Sequence, residues 1–220
     1  MQTESNSIDR TQTALIVLSA LMVTTYLTAN IMAVKLISVF GLTMFDAGTI
    51  TFPLAYMIGD VVTEIYGLKT AKRLIWLTFF CNILLVSATS IGIILPYPDY
   101  MQENHDAYAA IFTVVPRILG ASLVAFLVGE FSNAHIMVWI KKKTQGKHLW
   151  MRTIGSSAVG YLLDTVLFVL LAFSFIDGMP AKDLLIMIIA QYLMKLGLES
   201  AFGTPMAYAA IKWIQKGVKE

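Results

Sequence analysis

The chain has 220 residues, of which 57% are hydrophobic and only 14% are charged, and its formal net charge at pH 7 is +2. Soluble domains have about 25% charged residues, so this composition excludes an ordinary soluble domain and indicates an integral membrane protein. The single cysteine, Cys81, excludes an intramolecular disulfide and a cysteine-based metal cluster.

Apolar segments of about 20 residues, the length that crosses a bilayer, recur along the chain. Residues 1–12 are polar and lack the basic start of a cleaved signal peptide, so the first apolar segment is expected to be retained. We predict an all-α membrane protein, with one domain of six transmembrane helices over residues 13–212 and a basic tail over 213–220. The predicted spans cover residues 13–34, 47–66, 74–95, 113–140, 153–176 and a sixth segment from Asp183 that Pro205 kinks or ends.

The connections between these spans differ in character. Residues 35–48 form a connection that is expected to dip into the membrane interface through Phe40 and Phe45. The sequence Pro96-Tyr97-Pro98 ends the third span, and residues 97–112 form the longest loop. A short turn at residues 177–180 separates the fifth span from the sixth.

The positive charges predict an orientation. With both termini in the cytoplasm, twelve of the sixteen Lys and Arg residues fall on the inner side, as the positive-inside rule requires. These are Arg10, Lys69, Lys72, Arg73, Lys141, Lys142, Lys143, Lys147, Arg152, Lys212, Lys216 and Lys219. We therefore expect a multi-pass protein of the inner (plasma) membrane, surrounded by lipid.

Two halves of three spans would have opposite orientations, which is the arrangement of an inverted repeat. An acid followed by threonine recurs in the second and fifth spans, at Asp60 with Thr63 and at Asp164 with Thr165. This recurrence is weak support for a 3+3 repeat.

Charged residues inside the predicted spans indicate a site. A charge near the bilayer centre costs roughly 3 kcal/mol on insertion scales, so it usually faces the protein interior. Asp60 and Glu64 share one helical face with Tyr56. Two further stripes lie at helical spacing, one with Ser157, Tyr161, Asp164 and Phe168 and the other with Gln191, Lys195 and Glu199, and Asn30, Arg117 and Glu130 add polar groups from two more helices.

Each of these residues also has an ordinary structural interpretation. Lys195 and Glu199 are four residues apart and could neutralise each other, and Glu64 could pair with the basic loop at residues 69–73. Arg117 could extend to the interface, and Asn30 could be an interhelical hydrogen-bonding group. Asp60 and Asp164 have no partner nearby in sequence, so their functional interpretation is stronger.

The spans hold five acids against two bases. Such an excess favours a cationic or donor-rich ligand, or protons carried on buried carboxylates, over an anionic ligand. The sequence contains no HExxH, GxSxG or P-loop motif, so an enzyme is disfavoured and no cofactor, metal or nucleic-acid partner is expected.

Several strings carry a family resemblance over about residues 28–208. They are TAN at 28–30, FPLAYMIGDVVTEIYGLKTAKRLIW at 52–76, RILGASLVAFLVGE from Arg117, LDTVLFVLLAF from Leu163 and YLMKLGLESAFGTP at 192–205. Together they resemble the vitamin uptake transporter family that imports queuosine precursors. The block GDxxTExYG at 59–67 is the most specific, and Glu130 is a departure because some members have glutamine there.

The resemblance implies a transporter of 7-deazaguanine bases, namely the 7-cyano or 7-aminomethyl precursor or queuine, for queuosine salvage in tRNA. It implies substrate-binding roles for Asn30, Tyr56, Asp60, Glu64, Arg117, Glu130, Tyr161, Asp164, Lys195 and Glu199. Asp60 and Asp164 would accept hydrogen bonds from the base edge, Arg117 would donate to the ring carbonyl, and Lys195 with Glu199 would form an ion pair that shapes the site.

Two rival hypotheses follow. The chain could be the substrate-capturing subunit of an energy-coupling vitamin transporter, which needs a separate ATPase, or a membrane enzyme that uses the Asp60/Glu64 face for acid–base chemistry. Coupling to protons and assembly into homo-oligomers are left open by the sequence.

Overall fold

The computed structural model describes residues 2–40, 42–113, 115–174 and 180–219, and it is almost entirely helical. Its helices are α1 (Gln2–Met32), α2 (Phe52–Ile94), α3 (Gln102–Phe112), α4 (Val115–Lys143), α5 (Leu149–Phe173), α6 (Ala181–Leu198) and α7 (Thr204–Lys219). The turn expected at residues 177–180 lies largely outside the described residues.

Five helical stretches are long and apolar enough to cross a membrane, judged by length and composition. They begin at Thr11, Phe52, Asp99, Leu149 and Ala181. Their outer surfaces carry large apolar side chains such as Ile16, Phe80 and Leu193, each of which is at least 60% exposed. A surface of this kind suits lipid rather than water, which confirms an all-α membrane protein.

The second stretch covers 43 residues and consists of two helices that meet at a break at Gly67. Gly67 has φ 79° and ψ 168°, a conformation that glycine adopts without steric cost. Before Gly67, later residues contact later residues of α4: Asp60 contacts Asn133, and Glu64 contacts Lys141. After Gly67 this order reverses, because the Trp76 ring lies 6.0 Å from the ring of Phe131. The chain therefore reverses at Gly67, and we call residues 52–66 α2a and residues 68–94 α2b.

With this reversal, neighbouring helical segments alternate in direction. Tyr66, next to the break from which α2b starts, donates a hydrogen bond to the carbonyl of Thr11 at one end of α1, and Asn82 of α2b accepts from Asn30 near the other end, so α2b runs parallel to α1. Similar pairs make α4, α5 and the α6–α7 run antiparallel to their predecessors, for example Arg117 with Ala172 and Tyr208 with Trp150. The result is a bundle of α1, α2a, α2b, α4, α5 and α6–α7, with α3 packed at one end.

We call the two ends of this bundle the basic end and the opposite end. The basic end holds the break at Gly67, the connection between α4 and α5, and the first residues of the apolar part of α1. The basic residues 69–73, 141–143 and 147–152 all lie there. The opposite end holds the first turns of α4 and α6 and the last turn of α5.

Two connections differ from the prediction of loops. Residues 35–48 contain a β-hairpin, β1 (Leu36–Val39) paired antiparallel with β2 (Leu42–Asp46), followed by a 3-10 turn over Ala47–Ile50. Both rings were expected at the membrane interface; Phe45 is instead buried in the protein, whereas Phe40 is fully exposed. Most of the loop expected at 97–112 is α3, whose first five residues are all polar and are equally typical of a loop.

The passage from α6 to α7 is also irregular. A π-helical turn over Glu199–Gly203 joins the two helices and keeps them in one run. Pro205 lies in the first turn of α7, where its missing N–H costs little. The irregularity predicted near Pro205 is present, but the π-helical turn precedes the proline, and it turns Glu199 toward the interior.

A buried acidic cluster as the candidate functional site

The site is built on a close crossing of α4 and α5 at two glycines. A Cβ on Gly160 would lie 3.1 Å from the carbonyl oxygen of Gly129 and 3.0 Å from the Cβ of Asn133. A Cβ on Gly129 would lie 2.8 Å from the Cβ of Asp164 and would also meet the Tyr56 hydroxyl. Only glycines allow this approach, and the space they leave is filled by the Tyr56 ring from α2a.

Asp60 and Glu130 lie on neighbouring helices beside this crossing, and both are essentially closed to solvent. Asn133 Nδ2 donates to Asp60 Oδ1 over 2.8 Å, while Asp60 Oδ2 has no hydrogen-bond partner. Glu130 Oε1 is likewise buried without a partner. The Glu130 carboxylate lies close to α2a, because a Cβ on Gly59 would come within 3.0 Å of its Oε2.

Lys195 and Asp164 form the buried ion pair of the site. Lys195 Nζ lies 2.7 Å from Asp164 Oδ2 and 3.3 Å from Thr165 Oγ1, and it sits 4.7 Å from the centroid of the Phe52 ring. Both charged residues are 2% exposed or less. The expected neutralisation of Lys195 by Glu199 is wrong, because the ammonium turns across the helix interface to α5 and not along its own helix.

Glu199 faces Tyr161 instead. The Tyr161 hydroxyl donates to Glu199 Oε2 over 3.2 Å, and Glu199 Oε1 is buried without a partner. The rings of Tyr161 and Tyr56 lie 4.2 Å apart between centroids at 37°. These contacts join the π-helical turn, α5 and α2a into one cluster with Asp60.

The charges of this cluster do not balance. Among the described residues it holds four buried acids, Asp60, Glu130, Asp164 and Glu199, and one buried base, Lys195, which is committed to Asp164. An ionised carboxylate without a cation is costly to bury. Three carboxylate groups therefore need a proton, a cation or a donor-rich ligand.

Glu64 lies apart from this cluster, in an ion-pair network at the basic end. Its Oε1 accepts from Lys141 Nζ over 2.9 Å and from Arg152 over 3.0 Å. Arg152 is 3% exposed, and it also donates to the carbonyl of Gly146. The alternative partner expected for Glu64, the basic loop at 69–73, does not form an ion pair with it among the described residues; the last turn of α4 and the first turn of α5 supply its partners.

Two further predicted site residues also lie outside the cluster. Arg117 is exposed at the opposite end and donates to the carbonyl of Ala172 over 2.6 Å. Asn30 is buried between α1, α2b and α4, where it donates to Asn82 and accepts from Ser122. The expectation that Asn30 is an interhelical hydrogen-bonding group fits this placement.

The predicted set of substrate-binding residues omits Gln191, Asn133 and Ser157, although Gln191 and Ser157 stand in the predicted polar stripes. All three are buried, and Gln191 has no partner for either its Nε2 or its Oε1. Gln191 stands in the stripe with Lys195 and Glu199, and that spacing is the signal that could have identified it. No comparable signal exists for Asn133, since its bond to Asp60 joins residues 73 apart.

A further buried carboxylate, that of Asp46, lies at the end of the β-hairpin. Burial raises the pKa of the Asp46 carboxyl, while the charge of Lys195 and hydrogen bonds from Thr49 oppose that rise. The hairpin thus packs near the site end of α6. The described residues contain no group of three His, Cys, Asp or Glu side chains arranged to hold a metal ion.

Comparisons with known proteins identify relatives of the chain. The model of a family described as "Putative vitamin uptake transporter" matches residues 46–210. A "Probable queuosine precursor transporter" of Bacillus subtilis (strain 168) is 33% identical over 84% of this chain and 80% of its own length. The "Queuosine precursor transporter" of Escherichia coli (strain K12) is 24% identical over 72% of this chain and 69% of its own length. No solved structure gives a significant match to the chain.

Proposed function

The chain belongs to the vitamin uptake transporter family, and we propose that it imports 7-deazaguanine precursors of queuosine across the cell membrane. The candidate substrates are the 7-cyano and 7-aminomethyl bases and queuine. Its relatives are named as transporters, which favours a transporter over the membrane enzyme that the Asp60/Glu64 face could have served.

The observation that carries the proposal is the set of unpartnered carboxylate oxygens in the cluster. Asp60, Glu130 and Glu199 each have one buried oxygen that accepts no hydrogen bond. A guanine-type base offers adjacent N–H donors at N1 and at the 2-amino group, which one carboxylate accepts together. The 7-aminomethyl form adds a cation, which a second carboxylate of the cluster neutralises.

Within this proposal, aromatic rings hold the plane of the base. The rings of Tyr56 and Tyr161 already contact each other at a tilt of 37° beside Asp60 and Glu199. A planar base separates or caps this pair and gains the same ring contacts. We expect the base to bind beside this pair of rings.

We further propose six membrane spans, with α2a and α2b as the second and third, and both termini in the cytoplasm. The basic end carries the lysines and arginines that the positive-inside rule assigns to the inner face. The inner membrane of the cell is the expected location. The inverted repeat remains a prediction from the paired acid and threonine positions in α2a and α5.

The ion-pair network at the basic end fits the role of an inner gate. Glu64 on α2a forms ion pairs with Lys141 on α4 and with Arg152 on α5. The acidic cluster begins at Asp60, one helical turn farther from the basic end. The cluster is closed to solvent with the network formed. Import then requires that these ion pairs separate to release the base inward.

The driving force distinguishes this proposal from its main rival. Carboxylates that lose their ligand inside the protein take up protons, so proton-coupled import fits the cluster. A substrate-capturing subunit would need a separate ATPase. Uptake by the purified chain in liposomes that contain no ATPase would exclude the subunit hypothesis.

The experiment that tests the proposed function uses cells that can neither make nor import queuosine precursors. The chain is expressed in them, each base is supplied in turn, and queuosine in tRNA is measured. We expect queuosine to appear with at least one base. Absence of queuosine with every base, in cells where the protein is correctly inserted, would contradict the substrate assignment.

A further inference from the structure

Glu130 is the acid of the cluster whose carboxylate the protein compensates least. Each of the other three acids receives a cation or a neutral donor, namely Lys195 at Asp164, Asn133 at Asp60 and Tyr161 at Glu199. Among the described residues no cation pairs with Glu130, and its Oε1 is buried without a hydrogen-bond partner. An ionised carboxylate is costly to bury in this way, so a ligand with a positive charge is stabilised by contact with it.

The Glu130 carboxylate lies next to Asp60, which we expect to receive the donor edge of the base. A Cβ on Gly59 would come within 3.0 Å of Glu130 Oε2, and Gly59 directly precedes Asp60 on α2a. On α4, Asn133 donates to Asp60 and lies one helical turn from Glu130. The two carboxylates therefore approach the same part of the cluster from two helices, and the charge of Glu130 acts on Asp60.

Neutral donors near Glu130 do not remove its charge. The Tyr56 hydroxyl is buried without a partner, and it lies close to the position of a Cβ on Gly129, the residue before Glu130. This hydroxyl can donate to a carboxylate, but it carries no positive charge. The buried cation of the cluster, Lys195, is bound to Asp164. A protonated amine on the ligand supplies both a charge and N–H donors.

The candidate substrates differ in the group that they carry at C7. The 7-aminomethyl base and queuine have an amine there, which is protonated near neutral pH as the Lys side chain is. The 7-cyano base has a neutral nitrile, which accepts hydrogen bonds and donates none. C7 belongs to the five-membered ring, away from N1 and the 2-amino group, so the carboxylate that binds those donors does not also bind the substituent.

We propose that Glu130 binds the protonated amine of the 7-substituent, so that the site selects the 7-aminomethyl base and queuine over the 7-cyano base. This inference rests on the proposed function. Asp60 accepts from N1 and the 2-amino group, and Glu130 on the neighbouring helix meets the amine. A nitrile in the same place sets its acceptor against the carboxylate and leaves the charge of Glu130 uncompensated.

The test measures binding to the purified protein by titration calorimetry with the 7-aminomethyl, 7-ethyl and 7-cyano forms of 7-deazaguanine. The 7-ethyl base has the shape of the 7-aminomethyl base without its charge. We expect the wild type to bind the 7-aminomethyl base at least about tenfold more tightly than either neutral base, which is the size of a hydrogen bond to a charged group. In Glu130→Gln the preference should fall to within about threefold, because the charged base binds more weakly and the neutral bases do not.

Two further variants separate this role from a general effect of charge. Glu199→Gln removes another acid of the cluster and should keep the preference for the 7-aminomethyl base. Glu103→Gln removes a charge from the exposed surface of α3 and should change no affinity. Thermal unfolding in detergent checks that each variant is folded.

The possible outcomes distinguish the inference from the proposed function. Equal binding of the three bases by the wild type, a preference that Glu130→Gln keeps, or one that Glu199→Gln loses would overturn the inference and leave the proposed function standing. Failure of the wild type to bind any of the three bases would overturn both.

Discussion

Two acids one helical turn apart on α2a, Asp60 and Glu64, have opposite surroundings. Glu64 gives one oxygen to two cations at the basic end, and its side chain is 10% exposed. Asp60 is fully buried, accepts one hydrogen bond from a neutral amide, and keeps one oxygen without a partner. Each acid keeps one buried oxygen without a hydrogen-bond partner, but the protein supplies two cations to Glu64 and only a neutral amide to Asp60. The charge of Glu64 is therefore compensated within the protein, whereas that of Asp60 is not.

The same contrast separates the two regions as wholes. In the network at the basic end, cations outnumber the acid they meet. In the acidic cluster, four carboxylates meet one cation, Lys195, and Gln191 adds an amide without partners among the described residues. Substitutions in the two regions should therefore differ in their effects on stability, base binding and transport.

The largest effect on stability is expected from Lys195→Met. This change leaves Asp164 buried without its cation, and breaking a buried ion pair from one side costs about 3–5 kcal/mol. Thermal unfolding of the protein in detergent measures the loss. The double variant Lys195→Met with Asp164→Asn should recover most of it, since no charge is then left unpaired. Equal stability of Lys195→Met and the wild type would show that the pair is not buried as described.

A smaller loss is expected from Gly129→Ala. The added methyl group meets Tyr56 and Asp164 at the crossing of α4 and α5, and such overpacking costs about 1–3 kcal/mol. Gly120 on the same helix is the matched control, because a Cβ there has nothing within 4 Å. Gly120→Ala should leave the unfolding temperature unchanged or raise it. If Gly129→Ala and Gly120→Ala have the same unfolding temperature, α4 and α5 do not cross as closely at Gly129 as described.

The fold was largely predictable from the sequence, but the pairing of its acids was not. Hydropathy and the prolines at 96 and 98 located the long helices, because a helix that crosses a bilayer needs about 20 consecutive, mostly apolar residues. The β-hairpin at 36–46 was missed, since four or five residues give too short a pattern. The sequence predicted separate second and third spans on either side of Gly67, whereas the sharp turn between them depends on the backbone conformation of this one glycine.

Partners across helices were the least predictable feature. Local spacing suggested Lys195 with Glu199 and Glu64 with the 69–73 loop, yet both acids bond to residues 38 or more positions away. Helix rotation and packing decide which face meets which neighbour, and one sequence does not contain that information. Sequence reasoning therefore located the acids within the membrane but not the residues that neutralise them.

The smallest effect on base binding is expected from Glu64→Gln. Lys141 is partly exposed and Arg152 keeps its carbonyl partners, so the loss in stability should be near 1–2 kcal/mol at most, after allowance for solvent screening. The affinity for 7-aminomethyl-7-deazaguanine should stay within about threefold of the wild type, because Glu64 is outside the cluster. A much larger loss of affinity would move Glu64 into the binding site.

Transport should respond differently from binding in this variant. If the network is the inner gate, Glu64→Gln should change the rate of uptake into liposomes although the affinity is preserved. Exposed Glu103 on α3 provides a control, and Glu103→Gln should change neither quantity. An unchanged uptake rate in Glu64→Gln would argue that the network only joins helices.

We expect the Asp60 carboxylate, whose Oδ2 has no hydrogen-bond partner, to receive the donor edge of the base. The most direct test is uptake of labelled 7-aminomethyl-7-deazaguanine into liposomes that contain only the purified chain, either wild type or Asp60→Asn. The amide of Asn can no longer accept two N–H donors, and the loss of hydrogen bonds to a charged group predicts uptake that is lower by about 100-fold or more, with normal folding in detergent. Wild-type uptake by correctly folded Asp60→Asn would contradict the account.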